Sequence, residues 1–438
     1  MRFIPGIFFV GTLVLVMGMA STSAAEENYE AAPIHYSGTE PNDPISRLQE
    51  KLAAGEYQFL GSEEEILQGL LAELDVPKTS QVLVFSRTSL QRHRISPENP
   101  RAIYFSDDMY VGWVPGGLIE ITSVDPVLGP IFYAVSPRAL RAASETAFKR
   151  DSDCLRCHGG HFVRGIPGVM VRSVFPDDTG EPIFRLGSTL VDYRTPFEER
   201  WGGWYVTGRH GRSLHRGNIF AIENSDETVQ FPIQEGANVT DLSAFFDVER
   251  YPVSGSDIVA LMVFEHQTAV QNAITKASLE ARRMLHYQAE MQATFKEPVT
   301  TEPSFDSVKS VFNSVAEQLV DALLSKDEAP MPRGVMGAPE FVASYEKTER
   351  RTSAGHALRD LSLQGRLYKY RCSPLIYTEM FGAMPESLKA MVYQRLASAL
   401  DPANTEGDYT YLPSEERRAI RSILQETLPE IRPYLADT

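Results

Sequence analysis

Cysteine is scarce in this sequence, and its scarcity narrows what can hold the fold together. Three of the 438 residues are cysteines, which are too few, and odd in number, for the disulfide framework of a small secreted domain. Cys372 stands alone, whereas Cys154 and Cys157 are two residues apart. We therefore expect that disulfides do not stabilise the fold and that the close pair of cysteines has another role.

Motifs that identify several common classes of protein are also missing. The sequence has no phosphate-cradling glycine loop, no nucleophile elbow, no paired zinc motif and no Gly-x-Gly-x-x-Gly fingerprint. Acidic residues outnumber basic ones, since the chain has 42 Lys and Arg and 58 Asp and Glu, which give a formal net charge of −16. A surface of this sign is a poor match for nucleic acid or anionic lipid, so we expect neither as a partner.

Long apolar runs are confined to the N-terminus. Arg2 precedes an almost unbroken apolar run over residues 3–20, and Ser23-Ala24-Ala25 offers small residues for cleavage. Residues 1–25 are therefore predicted to be a signal peptide, with an uncleaved membrane anchor as the alternative. The mature protein is predicted to be periplasmic or secreted, without stable membrane insertion after signal cleavage.

The most informative stretch is Cys154-Leu155-Arg156-Cys157-His158, a CxxCH motif. This is the spacing at which two thiols add to the vinyl groups of one haem and the following histidine ligates its iron. The motif predicts one covalent haem c, bound through Cys154 and Cys157, with His158 as the proximal iron ligand. A disulfide, half of a zinc site and a thioredoxin-like redox pair are the alternatives.

The second axial ligand of the iron is not given by the motif. His161 follows on the same side of the predicted haem, so we interpret it as a hydrogen-bonding neighbour. His210 is the leading candidate, because glycines flank it and Trp201 and Trp204 lie nearby in the sequence. His215, Met170 and His266 are alternatives, although a histidine that binds no metal or a methionine in a core is the commoner situation.

The basic residues in and after the motif are arginines and not lysines. No lysine occurs between Asp151 and Thr275, whereas ten arginines do. Guanidinium groups pair well with carboxylates, including haem propionates, although ordinary ion pairs account for most such arginines. Arg209 and Arg212 are the predicted haem-binding arginines.

The periodicity of apolar residues changes along the chain. Short β-branched or aromatic runs separated by turn residues predict antiparallel strands within residues 81–135 and 169–232. Apolar residues at helical spacing predict helices at 45–53, 63–74, 137–149, 258–295, 305–325, 385–400 and 414–428, of which 258–295 is long enough for an arm or a bent pair. We expect an α+β protein with an extended and helical segment at 26–75, a β-rich antiparallel haem-bearing domain at 76–255, and a mainly helical C-terminal domain at 256–438.

Several segments, together with the CxxCH motif, resemble a family of exported bacterial proteins described only as containing a cytochrome c haem-binding motif. They are Phe85-Ser86-Arg87-Thr88-Ser89-Leu90-Gln91, Arg101-Ala102-Ile103-Tyr104-Phe105, Arg200-Trp201-Gly202-Gly203-Trp204-Tyr205 and residues 372–385. The resemblance covers most of the mature chain and implies a monohaem c-type cytochrome, but no established reaction.

The sequence thus favours one-electron transfer with a periplasmic redox partner. A haem enzyme, such as a peroxidase-like or other small-molecule oxidoreductase, and a haem-based redox or gas sensor are the alternatives. The identity of the sixth iron ligand distinguishes these functions, because a second strong protein ligand suits electron transfer and an open position suits chemistry or sensing.

Overall fold

A computed structural model describes residues 28–142, 147–224, 228–404 and 406–436. The predicted signal peptide, residues 1–25, lies outside the described residues. Within them the chain combines an antiparallel sheet with many helices. The predicted mixture of α and β structure is therefore confirmed.

The first half of the chain contains most of the strands. Its helices are α1 (Pro44–Ala53), α2 (Glu63–Glu73), α3 (Pro137–Arg141) and α4 (Leu155–His158). Its strands are β1 (Val82–Val84), β2 (Arg101–Phe105), β3 (Met109–Trp113), β4 (Ile119–Asp125), β5 (Gly129–Val135), β6 (Lys149–Arg150), β7 (Val171–Val174), β8 (Ser188–Val191), β9 (Trp204–Tyr205), β10 (Ile222–Glu223) and β11 (Val229–Gln230).

Helices follow in the second half of the chain. They are α5 (Ile258–Phe295), α6 (Asp306–Leu323), α7 (Pro339–Glu346), α8 (Glu379–Gly382), α9 (Glu386–Ala399), α10 (Ser414–Thr427) and α11 (Arg432–Leu435). No helix among the described residues is both long enough and apolar enough to cross a membrane.

Seven strands form the central sheet, in the order β6-β5-β4-β3-β2-β1-β9, and every neighbouring pair is antiparallel. Side chains alternate between its two faces. One face, which includes Tyr104 and Val111, packs in a core with α1 and α2. The opposite face, which includes Ile103 and Tyr110, packs against the first turns of α5. The candidate functional site lies on this second face.

Helix α5 covers only one end of that face. Gln267 donates from Nε2 to the Ser106 carbonyl and to the Tyr110 hydroxyl, where β2 ends and β3 begins. Farther along α5, Thr275 lies so close to Gly129, at the start of β5, that a Cβ on the glycine would be 2.8 Å from Thr275 Cγ2. These contacts place α5 at the end of the face where β2 ends and β5 begins; β2 and β4 begin at the opposite end.

The predicted helix at 258–295 is confirmed with the same bounds. Its N-terminus is capped by Asp257, whose Oδ1 accepts from the backbone N–H groups of Val259 and Ala260 at 3.0 and 2.9 Å. The interpretation as an arm or a bent pair is wrong, because α5 is one continuous helix and its first eleven residues, 258–268, are all buried.

The predicted helix at 137–149 is wrong at its C-terminal end. Helix α3 ends at Arg141, and Lys149 and Arg150 form the edge strand β6, opposite Ala134 and Tyr133 of β5. The Arg150 guanidinium donates to the carbonyls of Thr39 and Tyr36. These contacts join residues far apart in sequence, so local helical spacing does not reveal them.

Candidate functional site

The CxxCH motif forms one tight turn of helix. Asp151 begins the turn, with its Oδ1 accepting from the Asp153 N–H at 2.9 Å, and a 3₁₀ turn at Ser152–Cys154 continues into α4. Residues three apart on a helix share a face, so Cys154 and Cys157 lie next to each other. Both are free thiols, Cys154 partly buried and Cys157 exposed.

The ring of His158 is held by its own hydrogen bond. Its Nδ1 lies 2.8 Å from the carbonyl oxygen of Gly168, and only a protonated Nδ1 can donate to a carbonyl. The lone pair of the neutral ring is therefore on Nε2, as in histidines that bind a metal through Nε2. Burial lowers the pKa of His158, so the ring is in the neutral form that a metal requires.

The Gly168 carbonyl is fixed in turn by α5. Asn272 accepts from the Val169 N–H at 2.9 Å and donates to the Val169 carbonyl at 2.7 Å. A Cβ on Gly168 would lie 2.8 Å from Asn272 Oδ1, so glycine permits this close approach. Because the two ring nitrogens of an imidazole point in nearly opposite directions, Nε2 of His158 points away from the Gly168 carbonyl.

Phe132 links His158 to the sheet. The two ring centroids are 4.8 Å apart, and Phe132 lies on the sheet face that α5 partly covers. Two residues farther along β5, Ala134 lies opposite Glu120, and Glu120 lies opposite Gly112. Ala134, Glu120 and Gly112 therefore form the row of this sheet face next to the row that contains Phe132.

An ion pair lies on this row of the sheet. Arg101 Nη2 is 2.5 Å from Glu120 Oε2, and the two side chains are 21% and 17% exposed. A Cβ on Gly112 would lie 2.6 Å from Arg101 Nε, so the guanidinium lies against the glycine backbone. The charges of Arg101 and Glu120 act on both the His158 ring and the Cys154 thiol, which places the pair beside the motif.

The sequence interpretation missed Arg101 and Glu120 as site residues. One feature of the sequence could have indicated the pair. Glu120 alternates with Ile119 and Ile121 in a predicted strand, so its side chain lies on the sheet face opposite to the two isoleucines.

Burial, and then the charges of Asp151 and Glu120, raise the pKa of the Cys154 thiol to about 12. Cys154 is therefore a neutral thiol in the unmodified chain.

His210 and His215 lie together in a separate buried cluster. Their ring centroids are 4.7 Å apart, and the rings of Phe197 and Trp201 pack around them. His210 Nε2 accepts from the Asn238 N–H at 3.0 Å, and His215 Nδ1 accepts from the Gly217 N–H at 3.0 Å. Burial lowers the pKa of both. Among the described contacts, none joins these two histidines to residues 154–158.

The other two candidates for the sixth ligand also have surroundings of their own. His266 is buried between the rings of Tyr193 and Tyr368, and its Nε2 is 3.1 Å from Ser325 Oγ. Met170 lines a cavity of about 270 Å³ between the loop at 162–171 and helices α5 and α6. That cavity is lined by neither cysteine of the motif, nor by Arg101 or Glu120.

The predicted haem-binding arginines lie on the surface. Arg209 and Arg212 are exposed, and the backbone of Arg209 pairs with that of Met336. In the part of the chain that the structure describes, no contact joins either side chain to the motif. His161 is also exposed and lies against the ring of Phe162, with centroids 4.5 Å apart.

Comparisons with known proteins add no relative. Protein-family models, curated proteins and solved structures contain no match to the chain. The resemblance to exported proteins with a cytochrome c motif therefore stays a prediction. Within residues 28–142, 147–224, 228–404 and 406–436, no three His, Cys, Asp or Glu side chains are grouped so as to hold a metal ion.

Proposed function

We propose that the protein is an exported monohaem c-type cytochrome that transfers single electrons to or from a periplasmic redox partner. The observation that carries this proposal is the hydrogen bond from His158 Nδ1 to the Gly168 carbonyl. It presents Nε2 as the metal-binding nitrogen one residue after two free thiols on the same helical turn. A bound haem c would supply a one-electron couple between Fe(III) and Fe(II).

The residues of the site have distinct roles in this proposal. Cys154 and Cys157 would hold haem through thioether bonds, and His158 would ligate the iron. Gly168 keeps the ring in the required tautomer, and Phe132 supports its other side. Because Cys157 is exposed, a thioether at this position would lie at the surface, which suits electron exchange with another protein.

The finer division of the chain is part of the same proposal. Residues 76–255 would form the haem-bearing domain, and residues 256–438 a mainly helical domain that supports it. The bonds between Asn272 and Val169 are the support for a structural role of α5, because they brace the loop that carries Gly168. Export would follow from the predicted signal peptide at residues 1–25.

The test is to co-express the full chain with haem-attachment machinery and to measure covalent haem and optical spectra. We expect one haem per chain and a reversible change between the oxidised and reduced spectra. Replacing either Cys154 or Cys157 by Ala should prevent attachment through two thioethers, whereas the control Cys372→Ala should leave haem content unchanged. A purified chain without haem, exported or not, would contradict the proposal.

A second function, small-molecule chemistry at an open iron site, is supported by one observation. The charges of the pair Arg101 and Glu120 act on the His158 ring, whereas the four candidate ligands from the sequence lie in other surroundings. A charged pair of this kind suits a bound polar ligand better than a closed six-coordinate iron. A carbon monoxide-induced spectral shift in the reduced protein would favour this function over electron transfer alone.

A further inference from the structure

The ion pair beside the CxxCH motif suggests a role beyond haem attachment. We propose that Arg101 is the anion-binding residue of the haem pocket, and that Glu120 and Gly112 hold its guanidinium in position. The inference rests on the proposed haem attachment at Cys154, Cys157 and His158. The anion is a group of the bound site, either a haem propionate or an anionic ligand at the iron.

Arg101 and Glu120 lie beside the residues that would hold the haem. His158 packs against Phe132, and Glu120, which pairs with Arg101, lies in the next row of the same sheet face. The charges of both residues act on the Cys154 thiol and the His158 ring. A haem held by Cys154 and His158 would therefore be bound next to the Arg101 guanidinium.

Arg101 has a hydrogen-bond donor that the ion pair with Glu120 does not use. A guanidinium has five N–H donors, and the ion pair with Glu120 engages Nη2. Nε is buried and has no hydrogen-bond partner among the described residues. A buried N–H without a partner is costly, so an anion that reached this edge of the guanidinium would relieve that cost.

Nearby arginines are less suited to the same task. Arg156 is 78% exposed and lies 4.0 Å from Asp153. Arg172 lies against the rings of Phe162 and Phe184, 5.2 and 5.7 Å from their centroids, and donates to Ser188. Arg101 is the arginine whose charge acts on both Cys154 and His158.

Gly112 provides a way to move Arg101 without removing its charge. A Cβ at this position would collide with the guanidinium, which is the far end of a flexible side chain and can swing away. Gly112→Ala should therefore leave the strand intact and displace Arg101 from its place beside Glu120. Arg101→Gln removes the charge instead, so the two variants test position and charge separately.

The experiment uses the ferric holoprotein with its full chain. Covalent haem is quantified first, so a failure of haem attachment is seen separately from a failure of the present inference. Two properties are then measured for the wild type, Arg101→Gln, Gly112→Ala and the control Arg138→Gln, whose side chain is exposed on α3. They are the affinity for azide and the reduction potential as a function of pH.

If the anion is an iron ligand, azide affinity should fall by about tenfold or more in both Arg101→Gln and Gly112→Ala, the size expected for a lost charge-assisted hydrogen bond. If it is a propionate, azide affinity should be unchanged, and the pH dependence of the potential should shift in both variants. Arg138→Gln should change neither property. Haem-loaded variants that match the wild type in both measurements would overturn the inference.

Discussion

At the scale of single residues, burial keeps several histidines neutral and thereby makes stability depend on pH. His266 shows the effect most simply, because burial lowers its pKa from 6.5 to about 3 and no second histidine acts on it. In the unfolded chain the same ring has its ordinary pKa and is protonated below about 6.5. Protonation therefore favours the unfolded chain as the pH falls between these two values.

We predict that the unfolding free energy of His266→Asn falls less steeply with decreasing pH than that of the wild type. Below about pH 6, the wild type should lose about 1.4 kcal/mol more unfolding free energy per pH unit than the variant, since one more proton binds on unfolding. Urea unfolding of both proteins at pH 7, 6, 5 and 4 measures the difference. Parallel curves for the two proteins over this range would show that His266 does not carry the linkage.

At the scale of elements, the contact between the loop that follows the motif and helix α5 connects the site to the rest of the fold. The two are in close contact at Gly168, where a Cβ would lie 2.8 Å from Asn272 Oδ1 on α5 and 3.0 Å from Val163 Cβ in the loop itself. The same residue supplies the carbonyl that fixes His158. A shift of the loop would therefore also move the ring of His158, the predicted iron ligand.

We predict that Gly168→Ala destabilises the protein by about 1–3 kcal/mol, as expected for overpacking, and shifts the reduction potential of the haem-loaded form. The matched control is Gly160→Ala in the same loop, where the nearest atom to a new Cβ is the Arg156 carbonyl oxygen at an ordinary 3.7 Å. Urea unfolding and a redox titration measure the two effects. Equal results for both variants would contradict the proposed coupling.

Individual elements also show what the sequence can predict. Helix α5 is predictable because Asp257 caps it and no proline or glycine interrupts it, and strand β2 is predictable from its β-branched and aromatic run. Strand β6 and the pair Arg101–Glu120 depend on strand register between distant residues. The grouping of His210 with His215 depends on tertiary packing around Phe197 and Trp201, so sequence proximity to glycines and tryptophans did not reveal it.

At the scale of the whole molecule, the three cysteines lie in two very different environments. Cys372 is fully buried in the core shared by α5, α6, α9 and α10, and burial raises the pKa of its thiol to about 12. Such a thiol is a packing residue and is protected from reagents until the core unfolds. Cys154 and Cys157 lie outside that core, Cys154 partly buried and Cys157 exposed.

The central claim is that one haem is covalently bound at the CxxCH motif, and peptide mass spectrometry of the purified full chain tests it most directly. The protein is alkylated while folded, then unfolded, alkylated with a second reagent and digested. We predict haem on the peptide that contains Cys154 and Cys157, no alkylation of either, and labelling of Cys372 by the second reagent alone. A disulfide between Cys154 and Cys157, or free alkylated thiols at both, would contradict the account.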